Sequence, residues 1–325
     1  MRKFLFGAEN YFWTKRGLLK GYELTKGDYI LGVLRGEETW VNISTSPKII
    51  SGVSNSRIIS DRTEPVLPLD VFLSIGRTRK QVRNLSSSDY LEMINPSRNV
   101  LNRECDPTLD LDLAYILGML TRRSSIFMEA IPIKVASNQN INVLENNLSI
   151  ILKEKLNASK DNVQSIEGRP FSFLILGKES GVLSLIRDFN LKKSNVPFSI
   201  RTDSLQVIES FLKGFIDVAY NYEEKKISFM EYETDIRKFL FNILSFSHIS
   251  SRVQILSYTW PSLIDLSFKE DLELPLNNEK VEKIRYPYSR IRGFSIELGD
   301  LCVINEEKLN WRPIVDLVPL IPYSF

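Results

Sequence analysis

The sequence predicts an α+β protein in which a duplicated unit of helices and strands interrupts a mostly-β domain. The same order of helices and strands occurs twice between residues 109 and 282. Short apolar runs separated by Gly, Pro and Lys-Gly-Asp turns flank this region, in residues 1–75 and in residues 283–325. A chain of 325 residues is also too long for one typical core, so two domains are expected.

The flanking regions are predicted to form β structure. The runs YFW, YILGVL and TWVNIS in residues 1–75 are typical of short strands. Residues 76–108 differ, because GRTRKQVRNLSSSDY is basic and then Ser-rich, which predicts a linker with at most one short helix. Residues 283–325 return to short β runs with Pro and Gly between them. A domain inserted into another domain would produce this order.

The duplicated region divides into repeats of residues 109–200 and 204–282. The first repeat begins with the apolar helix LDLDLAYILGMLTRR and continues with the strand SIFMEAIPIKVAS, the amphipathic helix INVLENNLSIILKEKL and the strand FSFLILGKE. The second repeat has the same order in SLQVIESFLKGFIDVAY, KKISFMEYE, TDIRKFLFNILSFS and SRVQILSY. Each repeat is therefore predicted to run helix, strand, helix, strand.

The composition of the chain argues against several classes of function. The single histidine, His248, and the two cysteines, Cys105 and Cys302, give little basis for a His-dependent triad, a His-rich metal site or a disulfide framework. The N-terminal apolar run is too short for a signal peptide, and no run is long enough to span a membrane. A cytoplasmic protein is therefore expected. The net charge of +2 neither requires nor excludes nucleic acid, because binding depends on a local basic surface.

Two helices of the duplicated region resemble a known pair of motifs. LAYILGMLTRRSSI at residues 113–126 resembles the first motif of the LAGLIDADG homing endonucleases, and FLKGFIDVAY at residues 211–220 resembles the second. The resemblance implies an αββαββα-like saddle with a pseudo-twofold axis, in which the two motif helices pack side by side. Small residues permit such packing, here Ala114, Gly118 and Gly214. One chain then forms a pseudo-dimer, so a monomer is the default expectation.

The catalytic acids of that family are missing here. In the family each motif helix ends in an Asp, and the two Asp side chains hold divalent metal ions for phosphodiester hydrolysis. Arg123 and Ala219 occupy those positions. Asp217 lies two residues before Ala219, about 200° around the helix, so it points away from the lost acid. No catalytic residue and no metal cofactor are expected, and residual Mg²⁺-dependent cleavage would have to use nearby acids: Glu129, Glu223 and Glu224.

The flanking β regions carry a second resemblance. YFWTKRGLLKGYELTKGDYILGV at residues 11–33 resembles the opening block of the intein (Hint-type) splicing domain, and FSIELGDLCVI at residues 294–304 is a candidate for its pseudo-symmetric counterpart. Splicing needs a nucleophilic first residue, an activating His and a terminal Asn. The chain starts at Met1, ends at Phe325 and has no His in its first 247 residues, so splicing is not expected.

The resemblance also implies where DNA would bind. In the family, side chains on two four-stranded sheets enter the major groove, and Lys and Arg neutralise phosphates. The matching strands lie around residues 124–136, 170–178, 225–233 and 251–258. The candidate DNA contacts are Arg122, Arg123, Lys134, Arg169, Lys225, Lys226 and Arg252, with Arg77, Arg79 and Lys80 from the predicted linker. Arg123 would bind phosphate directly in place of a metal ion.

Three hypotheses follow for function. The first is a double-stranded DNA-binding protein, with a regulatory or chromosome-associated role in the cytoplasm or nucleoid, that has lost cleavage and splicing. The second is a protein-interaction scaffold on the same fold, which the acids on the predicted saddle strands favour: Glu129, Glu231 and Glu233. The third is a residual metal-dependent endonuclease. Salt-dependent binding without cleavage, binding of a protein partner, and Mg²⁺-dependent nicking distinguish them.

Overall fold

A computed structural model describes most of the chain. The described residues are 2–34, 37–60, 66–75, 78–92, 106–124, 130–136, 141–159, 162–168, 171–192, 195–221, 226–229, 233–246, 254–255, 262–265, 288–297, 300–306 and 318–319. By its internal contacts the chain separates into two compact units. Unit 1 comprises residues 1–101, 241–249 and 280–325, and unit 2 comprises residues 102–240 and 250–279.

The described elements are helices and antiparallel strands, so the predicted mixture of helices with antiparallel sheets is confirmed. The strands are β1 (Arg2–Gly7), β2 (Tyr11–Thr14), β3 (Gly17–Lys20), β4 (Tyr29–Leu34), β5 (Glu37–Ile50), β6 (Asn55–Ser60), β7 (Val66–Pro68), β8 (Phe72–Ile75), β9 (Thr78–Gln81), β10 (Tyr90–Glu92), β11 (Ala130–Ala136), β12 (Val163–Ile166), β13 (Phe171–Gly177), β14 (Tyr220–Asn221), β15 (Lys226–Phe229), β16 (Gln254–Ile255), β17 (Ser262–Asp265), β18 (Tyr288–Glu297), β19 (Leu301–Glu306) and β20 (Val318–Pro319). The α-helices are α1 (Leu111–Leu120), α2 (Ile141–Leu156), α3 (Val182–Asp188), α4 (Phe198–Arg201), α5 (Leu205–Ala219) and α6 (Thr234–Phe246).

Unit 1 contains two sheets. One has the strand order β1-β19-β5-β4-β2-β3 with β20 paired to β4, and the other has the order β7-β6-β18-β10-β8-β9. Strand β1 pairs with β19 along its whole length. Buried aromatic side chains fill the first sheet's core, where the rings of Phe6 and Phe12 lie 4.6 Å apart edge to face.

Two segments of unit 1 share one local structure. Residues 11–31 run β2, β3, a 3-10 turn and β4, and residues 72–92 run β8, β9, a 3-10 turn and β10. Asp28 accepts hydrogen bonds from the Thr25 amide at 2.7 Å and from the Arg16 guanidinium. Asp89 accepts the corresponding bonds from the Ser86 amide at 2.6 Å and from the Lys80 ammonium group.

Residues 72–92, the second copy of this local structure, contradict two predictions made from the sequence. Residues 78–92 were expected to be linker, but they form β9, a 3-10 turn and β10. The Ser-rich composition suggested a linker, yet Ser86 and Asp89 close a hydrogen-bonded turn. The counterpart of residues 11–31 is therefore this segment, whereas the residues proposed for that role, 294–304, fall in β18 and β19.

Unit 2 contains the two repeats, except that residues 241–249 of the second repeat belong to unit 1. The second repeat runs α5, β14, β15, α6, β16, β17, and its sheet has the order β14-β15-β17-β16. In the first repeat β11, β13 and β12 form the sheet, and Arg123 bridges to Ile133 at the edge of β11. The residue pattern predicted two strands in each repeat and missed β12, β14 and β17, which are too short to show a period, whereas the four strands of the second sheet agree with the number that the resemblance implies. In both repeats the chain leaves its first helix and pairs at once with the next strand.

Carboxylates and hydroxyls fix where the two long helices begin. Asp110 caps α1 by accepting from the amides of Asp112 and Leu113, and Ser204 caps α5 by accepting from the amide of Val207. Asp203 accepts from both the amide and the hydroxyl of Thr108, at 3.1 and 2.6 Å. The segment that enters α1 is thus tied to the segment that enters α5.

The α1–α5 pair forms the core of unit 2 through reciprocal glycine contacts. A Cβ added at Gly118 would lie 1.9 Å from the carbonyl oxygen of Phe211, and a Cβ added at Gly214 would lie 2.0 Å from that of Tyr115. Only a residue without a side chain fits at either position. The two backbones therefore cross in direct contact, as the small residues at 118 and 214 predicted.

Candidate nucleic-acid interface

The candidate interface is built around the C-terminal ends of α1 and α5, where the motif resemblance predicts that Arg123 and Ala219 replace metal-binding acids. Ala219 is the last residue of α5 and is fully buried, and Tyr220 after it is also buried. The methyl group of Ala219 offers no atom that could bind a metal ion. Across the described ranges, no group of three or more His, Cys, Asp or Glu side chains is placed to hold a metal.

Arg123 lies at the corresponding end of α1, with its side chain turned into the protein. The side chain is 9% exposed, and its guanidinium donates to the carbonyl oxygens of Leu120, at 3.1 Å, and of Leu191. Leu120 is the last residue of α1, and its carbonyl oxygen also accepts from the Arg123 amide at 3.1 Å, so the charge of the guanidinium lies where it complements the helix dipole. Burial lowers the pKa of Arg123 below its ordinary value. In this placement its donors face backbone carbonyls, so we do not retain the predicted contact between Arg123 and a DNA phosphate.

Arg122 is buried more deeply and joins the two repeats. Its Nε lies 3.1 Å from Oε1 of Glu233, and both side chains are 1% exposed. Its Nη1 donates to the carbonyl oxygen of Val218 at 3.1 Å, near the end of α5. A guanidinium enclosed in this way has no exposed surface for a phosphate, so the predicted contact between Arg122 and DNA is not retained either. Glu233, expected to be an acid on the saddle surface, is instead the buried partner of this cation.

A second polar contact crosses the helix pair. The Tyr115 hydroxyl donates to Oδ2 of Asp217 at 2.7 Å, from α1 to α5. Burial raises the pKa of Asp217, and the hydrogen bond from Tyr115 and the charge of Lys213 lower it by less, so its pKa lies above the ordinary value. Asp217 therefore has a structural partner in the neighbouring helix.

The outer face of sheet β11-β13-β12 carries mostly apolar side chains. Burial alternates along β11 and β13: Ile131, Ile133, Leu174 and Leu176 are buried, and the residues between them face outward. The outward side chains are those of Pro132, Lys134, Phe171, Phe173, Ile175, Gln164 and Ile166. Ile166 is 55% exposed. This face is apolar except for Lys134 and Gln164, which is unusual for the outer side of an antiparallel sheet.

The remaining predicted contacts divide into three groups. Arg79 is exposed on β9, at the edge of its sheet. Lys80, on the same strand, binds Asp89 at 2.8 Å, so part of its charge is neutralised within unit 1. Lys226 pairs through its backbone with Asn221 in the β14–β15 ladder. The other predicted contacts lie outside the described residues: Arg77, Arg169, Lys225 and Arg252.

Several features of this region were not anticipated. The sequence contains Arg122 and Glu233, but nothing in a single sequence pairs two residues so far apart. Tyr115 and Asp217 are also far apart in the sequence, so the sequence alone does not pair them. Phe171 and Phe173 could have been found, because two aromatic residues at alternate positions of a strand must share one face. Their outward orientation depends on register, which the sequence left open.

The similarity of this chain to known proteins is low in both sequence and structure. The sequence matches no protein-family model and no curated protein. Similar solved structures include an intein-like domain from Clostridium thermocellum, with 13% identity over 27% of this chain and a TM-score of 0.25. The DnaX mini-intein from Spirulina platensis has 10% identity over 27% of this chain and a TM-score of 0.24. The chain spans 65% and 66% of those two structures, less than two thirds of each.

A homing endonuclease is also among the similar structures. I-DmoI in complex with DNA and Ca has 14% identity over 48% of this chain and 83% of its own, with a TM-score of 0.30. Scores this low do not identify the fold or the function of this chain. Among the described helices, none is long and apolar enough to cross a membrane.

Proposed function

We propose that this chain is a double-stranded DNA-binding protein of the intein-encoded LAGLIDADG endonuclease kind, with cleavage and splicing chemistry lost. The crossing of α1 and α5 carries the proposal. The two helices meet at reciprocal glycines, and the chain after each helix pairs at once with a sheet strand. The motifs at residues 113–126 and 211–220 imply such a crossing, which supports the proposal of a saddle inserted in an intein-like β domain.

The loss of cleavage follows from the residues at the two helix ends. Two-metal hydrolysis needs oxygen ligands that hold cations beside the scissile phosphate. Arg123 supplies only N–H donors, and those donors bind the carbonyl oxygens of Leu120 and Leu191. Ala219 supplies a buried methyl group. A positive charge at one end and no ligand at the other do not form a divalent-metal site.

Binding of duplex DNA is supported by the position of cations on the outer strands. Antiparallel strands fit the major groove, and Lys and Arg beside them neutralise phosphates. Lys134 faces outward from the middle of β11, and Arg79 is exposed on the edge strand β9. Burial of Glu233 against Arg122 also removes one acid from the surface that was predicted to face DNA.

The test is fluorescence-anisotropy binding to random duplex DNA over a series of salt concentrations, with and without Mg²⁺, followed by analysis of the DNA for nicks. We expect salt-sensitive binding and intact DNA. Lys134→Gln and Arg79→Gln should each reduce the slope of log affinity against log salt by about 0.9, because each removes one phosphate contact. Lys153→Gln, an exposed lysine of α2, makes the same change of charge and serves as the control.

Each contrary result has a distinct meaning. Nicking that requires Mg²⁺ and stops with EDTA would show that acids outside the two motifs still recruit metal. Absence of binding at low salt would contradict the proposal and leave the protein-interaction scaffold as the better hypothesis. Equal slopes for Lys134→Gln and Lys153→Gln would remove Lys134 from the interface.

A further inference from the structure

The outer face of sheet β11-β13-β12 carries two aromatic rings on its central strand. Phe171 and Phe173 occupy alternate positions of β13, and both are half-buried on the side away from Leu174 and Leu176. Residues at alternate positions of a strand are about 6.6 Å apart. The rings thus form a short row along the middle of the face.

Cations lie beside this row. Lys134 is directly opposite Phe173 in the ladder, and its Nζ lies 5.6 Å from the centre of the Phe171 ring. The guanidinium carbon of Arg122 lies 5.9 Å from the same ring centre. These contacts hold the Phe171 ring in place through attraction between the cations and its π system. Arg122 is enclosed and paired with Glu233, so Lys134 is the cation that this face presents beside its aromatic rings and apolar surface.

We propose that this face is a stacking platform for single-stranded nucleic acid. One base stacks on Phe171 and the next on Phe173, while Lys134 contacts the phosphate between them. The ring spacing of about 6.6 Å is roughly twice the 3.4 Å rise of a stacked strand, so each ring receives one base of an extended strand. Sheets that bind RNA or single-stranded DNA use outward aromatic residues in this way.

The two rings suit unpaired bases, whereas Lys134 can contact a phosphate of either a duplex or a single strand. In a duplex the base faces are stacked on each other, so the groove offers aromatic residues only edges and methyl groups. A purely apolar docking face for a protein would not require a cation beside the rings. The outward side chains described on β11, β12 and β13 include one charged group, and it is the cation Lys134. This inference goes beyond the proposed duplex binding, because it concerns strands whose bases are free.

The experiment compares two DNA probes by fluorescence anisotropy: a labelled oligothymidine of about 12 nucleotides and a labelled duplex of the same length. The informative variants are Phe173→Leu and the double variant Phe171→Leu/Phe173→Leu, which keep apolar bulk and remove the π faces. Ile175→Leu on the same strand face is the matched control. Lys134→Gln tests the phosphate contact.

We expect the wild-type protein to bind oligothymidine, and each Phe→Leu change to raise its Kd about tenfold. Ile175→Leu should leave the Kd unchanged, and Lys134→Gln should lower the salt slope by about 0.7. No binding of oligothymidine, or equal affinity of the wild-type protein and Phe173→Leu, would overturn the inference. Phe173→Leu alone decides the result if the double variant does not fold, since Phe171 contacts Arg122. Binding to the labelled duplex tests the proposed function independently of this inference.

Discussion

The two repeats of unit 2 are alike where their helices cross and unlike where their helices end. At the crossing, Gly118 meets the backbone of Phe211 and Gly214 meets the backbone of Tyr115, at nearly equal distances. At the ends, α1 is followed by two buried arginines, whereas α5 ends in the buried apolar side chains of Ala219 and Tyr220. The two repeats are therefore symmetric in how their helices pack and different in the residue types at the ends of those helices.

The asymmetry has a physical consequence for how the repeats associate. The first repeat supplies donors through Arg122, and the second supplies acceptors through Glu233 and the carbonyl of Val218. A buried guanidinium is stable only when its donors are satisfied, so the two halves now depend on each other at this point. The positions that would hold metal in a nuclease are instead part of the core.

The largest expected effect is on the crossing itself. Gly118→Val and Gly214→Val should each destabilise the protein by roughly 4 kcal/mol or more, because a side chain would overlap a backbone carbonyl that cannot move away. Urea unfolding measures the loss. Lys213→Val, at an exposed position of α5, introduces the same β-branched residue and is the control. A large loss for only one of the two glycines would show that the crossing is less symmetric than the contacts indicate.

The next effect concerns the buried ion pair between the repeats. Glu233→Leu and Arg122→Met should each cost about 3–5 kcal/mol, because each leaves one charged side chain buried without its partner. The double variant Arg122→Met/Glu233→Leu should recover most of that loss, since both charges are gone. A double-mutant cycle from unfolding curves gives the coupling. Additive losses would mean that the two side chains do not interact.

A smaller effect is expected at the hydrogen bond between α1 and α5. Tyr115→Phe removes the donor to Asp217 and should cost about 1.5–3 kcal/mol, because it leaves a buried carboxyl group without this hydrogen bond. Thermal and urea unfolding measure it. The same substitution at exposed Tyr22 is the control. A loss of stability no larger than that of Tyr22→Phe would show that the Tyr115 hydroxyl does not stabilise the helix pair.

The smallest effect is the pH dependence contributed by Asp217. Its pKa is raised in the folded protein, so the stability that it contributes is fully present below the unfolded pKa near 3.8 and is lost as pH rises through the folded value. Asp217→Asn cannot titrate and keeps an acceptor for Tyr115. The variant should therefore gain stability relative to the wild type as pH rises from about 4 to about 7. A constant difference across that range would show that Asp217 is not perturbed by burial.

Much of the organisation could be predicted from local sequence. The apolar runs with glycine at 118 and 214 indicated two helices in close contact, because only small residues allow backbones to touch. The turn at Leu24–Asp28 was visible in the Lys-Gly-Asp signal. Its second copy at Leu85–Asp89 was missed, since a Ser-rich segment looks like a linker until Asp89 is seen to accept from Ser86 and Lys80.

The candidate site was less predictable. Arg79 and Lys134 lie on outward positions as strand alternation allowed, although DNA binding by either stays a prediction. Arg122 and Arg123 were predicted to contact DNA because the resemblance puts them beside a strand of the saddle, but groups distant in sequence bind both guanidinium groups. No local pattern could show that Glu233 and the carbonyl of Leu191 would reach them.

The sequence by itself determined the two helices, their glycine contact and the absence of acids at residues 123 and 219, because these depend on residue type and helical period. Only the tertiary structure decided where the charges of Arg122 and Arg123 lie and which face Phe171 and Phe173 share with Lys134. Burial and strand register depend on partners brought together from far along the chain, and a side chain's identity alone does not carry that information.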